Sequence, residues 1–199
     1  WDHNIQSYKP PVEKRSKRQK ANICRFIQSF CSRVNIEWDV DPEKELPGGK
    51  ILIIEGKYSK SIHDELYNDL IISENKPYEM LFLCPPSLVK YEMINNKSKS
   101  SGFIFSDDFQ KIGIKLWDGT LDKNKSEYPT NIDEYRLFQF DSSRGLEGWT
   151  VVCLNIDDFQ KYKFDTFKED NLNKEQLDLG LQSFEEKALE FSYRWLTIP

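Results

Sequence analysis

Three short stretches carry almost no polar side chain: ILII at 51–54, MLFLC at 80–84 and VVCL at 151–154. A strand with one wet face alternates apolar and polar residues, so unbroken runs of this length read as strands covered on both faces. Between them lie segments of helical period. Ile23, Phe26, Ile27, Phe30 and Val34 recur at three- and four-residue steps and predict a helix from about Lys17 to Val34. Ser59 or Ser61 offers a cap for a helix running through Asp64, Leu66 and Leu70. SDDFQKIG reads as a short helix and IKLWDGT as a short strand. In the last third, Leu177, Leu181, Phe184, Ala188, Phe191 and Trp195 share one helical stripe. Strands interleaved with helices predict an α/β layered fold with a mainly parallel sheet.

The strands are expected at Ile51–Glu55, at 80–84 (stopped by Pro85 and Pro86), at Tyr135–Phe140 and at Thr150–Ile156. INNKSKSSG at 94–102 reads as a flexible loop and LDKNKSEYPTNIDE as a polar one. A chain of 199 residues suits one domain with an appendage. The expected division is a basic segment and helix over residues 1–44, then the α/β domain over 45–199. The chain starts at Trp1 without Met and stops at Pro199, so both ends read as cuts in a longer protein.

Charge and cysteine use narrow the function classes. A formal charge of -5 excludes a uniformly basic nucleic-acid binder but allows a local basic face. KPPVEKRSKRQK near the N-terminus is such a patch, either a solvated linker or a phosphate contact. Cys84 and Cys153 stand in apolar runs, as buried free thiols do, and Cys24 and Cys31 share a helix face. There is no CxxC pair and there are only two histidines, which argues against a structural zinc site. No apolar run approaches the roughly 20 residues of a membrane span, and no signal peptide is visible, so the chain reads as reduced and cytoplasmic with no membrane partner. His63 beside Asp64 reads as a surface pair on its helix, and Asp107, Asp108, Asp118 and Asp122 as separate solvated loops rather than a metal cluster.

The chemistry concentrates in DSSRGLEG at 141–148, between two apolar runs. In a parallel α/β sheet, ligands collect at the carboxyl ends of strands, and this stretch lies just past one. Gly145 and Gly148 permit tight turns and close approach of backbone to a ligand. Ser142 and Ser143 bring hydroxyls for phosphate or for capping a turn. Arg144 offers a planar fork for phosphate or carboxylate, and Glu147 an acceptor suited to a ribose hydroxyl. Leu146 is the apolar residue that anchors the loop. The same residues also fit a purely polar connection closed by an Arg144–Glu147 ion pair.

SSRGLEGWTVVCL resembles motif V of superfamily-1 helicases of the UvrD/Rep type, with Ser142, Arg144, Gly145, Leu146 and Glu147 matching position by position. RWLTIP at the end looks like the lead-in to motif VI, with the chain stopping before that motif. The resemblance implies a second RecA-like domain lacking its own P-loop. In it, Arg144, Gly145 and Glu147 would face ATP held with Mg2+ mainly by an N-terminal RecA-like domain. Ser142 and Ser143 would lie near single-stranded nucleic acid, in the first instance DNA. The chain departs from the family pattern in two motifs: Gln139 and Asp141 stand where Thr and His are common, and Cys84-Pro85-Pro86 stands at the end of the candidate motif IV strand, with Lys90 the nearest base to the arginine expected there.

No GxxxxGK[ST] is present, and PGGK at 47–50 precedes a strand rather than following one, so it reads as a turn. Asp157 and Asp158 read as the polar first turn of a helix near Phe159. The expected function is therefore the C-terminal motor portion of an ATP-dependent DNA helicase or translocase, inactive as an ATP hydrolase by itself. The alternative is a non-catalytic α/β interaction domain derived from a helicase. A stand-alone small-molecule enzyme would need a self-contained catalytic set, which the sequence does not contain.

Overall fold

The computed structural model describes residues 15–16, 19–38, 40–42, 46–171 and 183–197. The chain divides into two compact units, Trp1–Glu55 and Gly56–Pro199. In the first, β1 (Arg15–Ser16) pairs in parallel with β2 (Asp41–Pro42), and α1 (Ala21–Arg33) buries Ala21, Cys24, Ile27 and Cys31 on one stripe. The two cysteines do share the buried helix face, whereas Phe26 is exposed. Helix starts leave amides without intrahelical partners. Here Ala21 N and Asn22 N donate to Leu46 O and Gly48 O, both at 2.8 Å. PGGK is therefore a turn that caps a helix, with Gly48 and Gly49 at positive φ.

The expected strand at Ile51–Glu55 does not form. Residues 51–55 carry no strand pairing, and Ile53 is 79% exposed. Hydrophobicity alone cannot make a strand, because a strand needs a neighbour to take its backbone hydrogen bonds.

The second unit runs α2 (Lys60–Ile72), β3 (Met80–Cys84), β4 (Val89–Ile94), β5 (Lys97–Phe103), α3 (Ser106–Lys111), β6 (Leu116–Asp118), β7 (Tyr135–Gln139), β8 (Thr150–Cys153), α4 (Ile156–Asn171) and α5 (Phe184–Leu196). Its sheet has four strands in the order β6-β7-β3-β8, all parallel. The expected α/β class with a parallel sheet between helices is what the chain adopts. β3 lies inside the sheet, between β7 and β8, and all five of its residues are buried, as its unbroken apolar run requires. Burial pushes the Cys84 thiol up to about 12, so it stays protonated. Among the described residues β8 is an edge strand with no further strand beside it, and Cys153 is exposed rather than buried.

Each face of the sheet has its own core. On one, Met80, Phe82 and Cys84 pack with Leu137, Leu70 of α2 and Phe109 of α3. On the other, Leu81 and Leu83 pack with Phe140, with Phe159 of α4 and with Trp195 of α5. The C-terminal stripe is helical at Phe184, Ala188, Phe191 and Trp195, while Leu177 and Leu181 lie outside the described residues, as does most of the N-terminal basic segment.

Two local expectations are corrected. Residues 94–102 are not a flexible loop: β4 and β5 form an antiparallel hairpin in which Ile94 pairs with Lys97. Asn95 and Asn96 fill its two-residue turn at φ 52° and 58°, and asparagine tolerates that left-handed backbone. His63 is not a surface residue either. It is 5% exposed, its Nδ1 lies 3.0 Å from Tyr58 Oη and its Nε2 3.1 Å from Tyr135 Oη. Asp64 instead pairs with Lys60 across one helical turn. Burial pushes the His63 pKa down and the Tyr135 hydroxyl up to about 12, so a neutral ring bridges two neutral phenols.

Candidate functional site: the β7–β8 crossover

β7 and β8 are parallel and lie on opposite sides of β3, so residues 140–149 must step over β3 and return to the start of the sheet. The lateral step is about 10 Å and the return about 15 Å. Ten residues reach at most about 35 Å when extended. A crossover normally uses a dozen or more residues and an α-helix. This one holds no α-helix: a 3-10 turn, Phe140–Ser142, is followed by a tight turn over Ser143–Leu146 and a short irregular run.

That path explains much of the motif's composition. The Ser143 hydroxyl donates to Phe140 O at 2.8 Å and is buried. Leu146 N donates to Ser143 O at 2.9 Å, closing a second turn with Gly145 at its third position. Gly145 has φ +83°, a conformation that this place in a type II turn reserves for glycine. Leu146, partly buried, packs against the core cluster that holds Leu81 and Phe140. Gly148 passes so close over β3 that a Cβ would sit 3.0 Å from Leu81 Cβ and 3.1 Å from Glu79 O. The loop thus begins at the carboxyl end of β7 and finishes beside the start of β3.

A residue the sequence reading did not single out fixes the far end. Arg136, 5% exposed, donates from Nε to Tyr78 O and from a terminal nitrogen to Glu147 O, both at 2.6 Å. Its guanidinium also lies 4.3 Å from the centre of the Tyr78 ring. A lone arginine in a strand that is otherwise buried was the available signal, because a charge is retained there only where it is paired or hydrogen-bonded.

The near end is held by charge. Lys163 of α4 sits 2.5 Å from Asp141 and 3.8 Å from the centre of the Trp195 ring. The Asp141 carboxylate, which departs from the helicase pattern, is thus matched by a buried cation. Arg144 stacks its guanidinium 4.3 Å from the same Trp195 ring, an arrangement that presets the planar fork.

Of the predicted residues, Ser142, Arg144, Gly145 and Glu147 are exposed along the crossover and Ser143 is buried in it. Asp158, at the carboxyl end of β8, accepts from Asn155 at 3.1 Å and Ser87 at 3.4 Å, and Asp157 and Asp158 fall in the first turn of α4. Asp118 accepts from Phe103 N, Thr120 N and Thr120 Oγ1 at 2.6–2.9 Å, which makes it a structural clasp. Among the described residues no group of three His, Cys, Asp or Glu side chains could hold a metal ion, and no helix is long and apolar enough to cross a membrane. No protein-family model, curated protein or solved structure matches the chain.

Proposed function

We propose that this chain is the second, P-loop-less RecA-like domain of an ATP-dependent nucleic-acid translocase, closing over ATP carried by a first RecA-like domain. The observation that carries the reading is that Arg144 is exposed with its guanidinium stacked on Trp195, while Ser142 and Glu147 are also exposed along the crossover. An arginine preset on Trp195 suits a phosphate, a carboxylate suits a ribose hydroxyl, and a hydroxyl suits a nucleic-acid backbone. The four-stranded parallel sheet with helices on both faces supports the same class.

The donors present fit a nucleotide's sugar and phosphates, whereas Mg2+ finds no ligand group among the described residues and falls to the other domain. ATP bound there supplies the free energy of phosphoryl transfer. This chain's part is to orient and to neutralise charge. Arg144 enters the closed state with its fork already ordered, so less side-chain freedom is lost on contact. Ser142 is the available contact for single-stranded DNA, because the Ser143 hydroxyl serves Phe140 O.

The test is DNA-stimulated ATP turnover by the protein that joins this chain to its P-loop domain. Arg144→Ala and Glu147→Gln are each expected to lower turnover by about 10-fold or more, since an arginine supplied across a domain interface carries a large share of phosphoryl-transfer catalysis. Unchanged turnover in both variants removes the motor reading. A second reading, a non-catalytic interaction domain, draws on the fact that Ser143, Gly145, Leu146 and Gly148 are all explained by the crossover itself; it is favoured if nucleotide binding also stays unchanged.

A further inference from the structure

Arg144 stands exposed in the tight turn over Ser143–Leu146. Among the described residues, the one contact its guanidinium makes is with the Trp195 ring. A guanidinium carries its N–H groups at its rim and none on its faces, so lying over a ring leaves its donors free for a ligand. An exposed arginine on a bare turn would give up its rotamer freedom only on meeting that ligand.

The ring itself is held on a packed helix. Trp195 is half-buried in the last turn of α5. It meets Phe159 at 6.3 Å and Phe191 at 6.4 Å between ring centroids. The helix end is closed by Thr197, whose N and Oγ1 both donate to Arg194 O, at 3.2 and 2.7 Å. Lys163 lies nearer to the ring than Arg144 does, 3.8 Å against 4.3 Å from its centre. Lys163 is 8% exposed and fixed on Asp141, so it acts from inside the core and Arg144 from the solvent side of the loop. The Lys163–Asp141 pair also cancels the carboxylate that would repel an anion approaching Arg144. Of the three charges at this end of the crossover, the arginine's is the one left over.

We infer that Trp195 is the positioning residue for Arg144: with Lys163 and Asp141 neutralised beside it, the ring holds the fork ordered and charged for an incoming phosphate. The inference rests on the reading above for the ligand, a nucleotide phosphate, and on the contacts alone for the positioning. It places a function on α5, where the aromatic stripe otherwise reads as core.

The first test is a proton–nitrogen spectrum of the arginine side chains in the full chain, with the Arg144 Nε–H signal assigned by its loss in Arg144→Lys. The expected signal is shifted upfield by the ring and relaxes as an ordered side chain. Both signs are expected to vanish in Trp195→Met and to return in part in Trp195→Phe, whose ring attracts cations less strongly. Thermal melts check that each variant folds; where methionine does not, the wild-type and phenylalanine spectra decide. A wild-type Arg144 with the shift and mobility of a solvated arginine overturns the inference, as does an Arg144 signal that Trp195→Met leaves unchanged.

The second test is ATP turnover by the protein that joins this chain to its P-loop domain. Trp195→Met is expected to lower kcat by about 2- to 10-fold, the range that ordering one mobile side chain is worth. It should add nothing in an Arg144→Ala background, because the two residues then act as one. An equal loss in both backgrounds would make the ring merely structural and overturn the inference. A drop with Arg144→Ala and none with Trp195→Met also overturns it and leaves the motor standing. Unchanged turnover in Arg144→Ala counts against the motor, while the spectra still decide whether the ring holds the fork.

Discussion

Replacing Arg136 by methionine tests whether the crossover is clamped where the geometry places its clamp. Methionine keeps the unbranched stem and removes the guanidinium. Two backbone carbonyls, Tyr78 O and Glu147 O, each lose a donor at 2.6 Å. A buried carbonyl left without a partner costs about 1–3 kcal/mol, so the pair costs about 2–6 kcal/mol. Losing the stacking on Tyr78 adds about 1 kcal/mol. Against this, the guanidinium no longer has to be stripped of water, which returns a few kcal/mol. The net expectation is a loss of about 2–4 kcal/mol. For a chain of this size that lowers Tm by roughly 6–12 °C. Lysine at 136 can serve one carbonyl but not both, because its single ammonium lacks the fork, so Arg136→Lys should fall between wild type and Arg136→Met. Urea unfolding followed by circular dichroism reads all three. A methionine variant within about 0.5 kcal/mol of wild type, or a lysine variant equal to it, would refute the reasoning.

Two further perturbations test the neighbouring structure. The folded chain holds the His63 pKa below its usual value, so on acidification the unfolded chain takes up that proton first; stability is full above about pH 6.5 and falls as pH drops from there towards the folded pKa, by up to about 1.4 kcal/mol per pH unit. His63→Gln keeps hydrogen-bonding capacity without titrating, so urea melts between pH 7.5 and 5.5 should lose that slope; the same slope in the variant would contradict the assignment, and the only other histidine, His3, lies outside the described residues. Asp118→Asn cannot accept at both oxygens, so one of Phe103 N or Thr120 N loses its bond, at a cost of about 1–3 kcal/mol, with faster amide exchange at Phe103 as the local sign and unchanged exchange as the refutation.

Much of the layered architecture was legible because its signals are local. MLFLC reads as a strand buried on both faces, and it is one of the two interior strands. Ser59 caps α2 through Ile62 N, as its position before the helical run implied. The misreadings have a common cause, which is dependence on a distant partner. ILII is as apolar as MLFLC but pairs with no strand among the described residues. His63 is buried by Tyr135, 72 residues away. Arg136 is fixed by Tyr78, 58 residues away. The hairpin was in fact signalled locally: Asn95-Asn96 between two strand-like runs suits a turn with two left-handed residues, but serines and lysines masked it as a loop. In the candidate site, the sequence picked out residues 141–148, of which Ser143, named as a contact, is buried and bonded to Phe140 O. It could not show that the loop crosses β3, because strand order is a long-range property.

The most direct measurement of the central claim is backbone hydrogen–deuterium exchange across residues 140–149, with the P-loop domain present, before and after adding a non-hydrolysable ATP analogue. Nucleotide-dependent slowing at 144–147 that is lost in Arg144→Ala is the expected result. Exchange across the crossover that ignores nucleotide, while the P-loop domain itself becomes protected, would contradict the account.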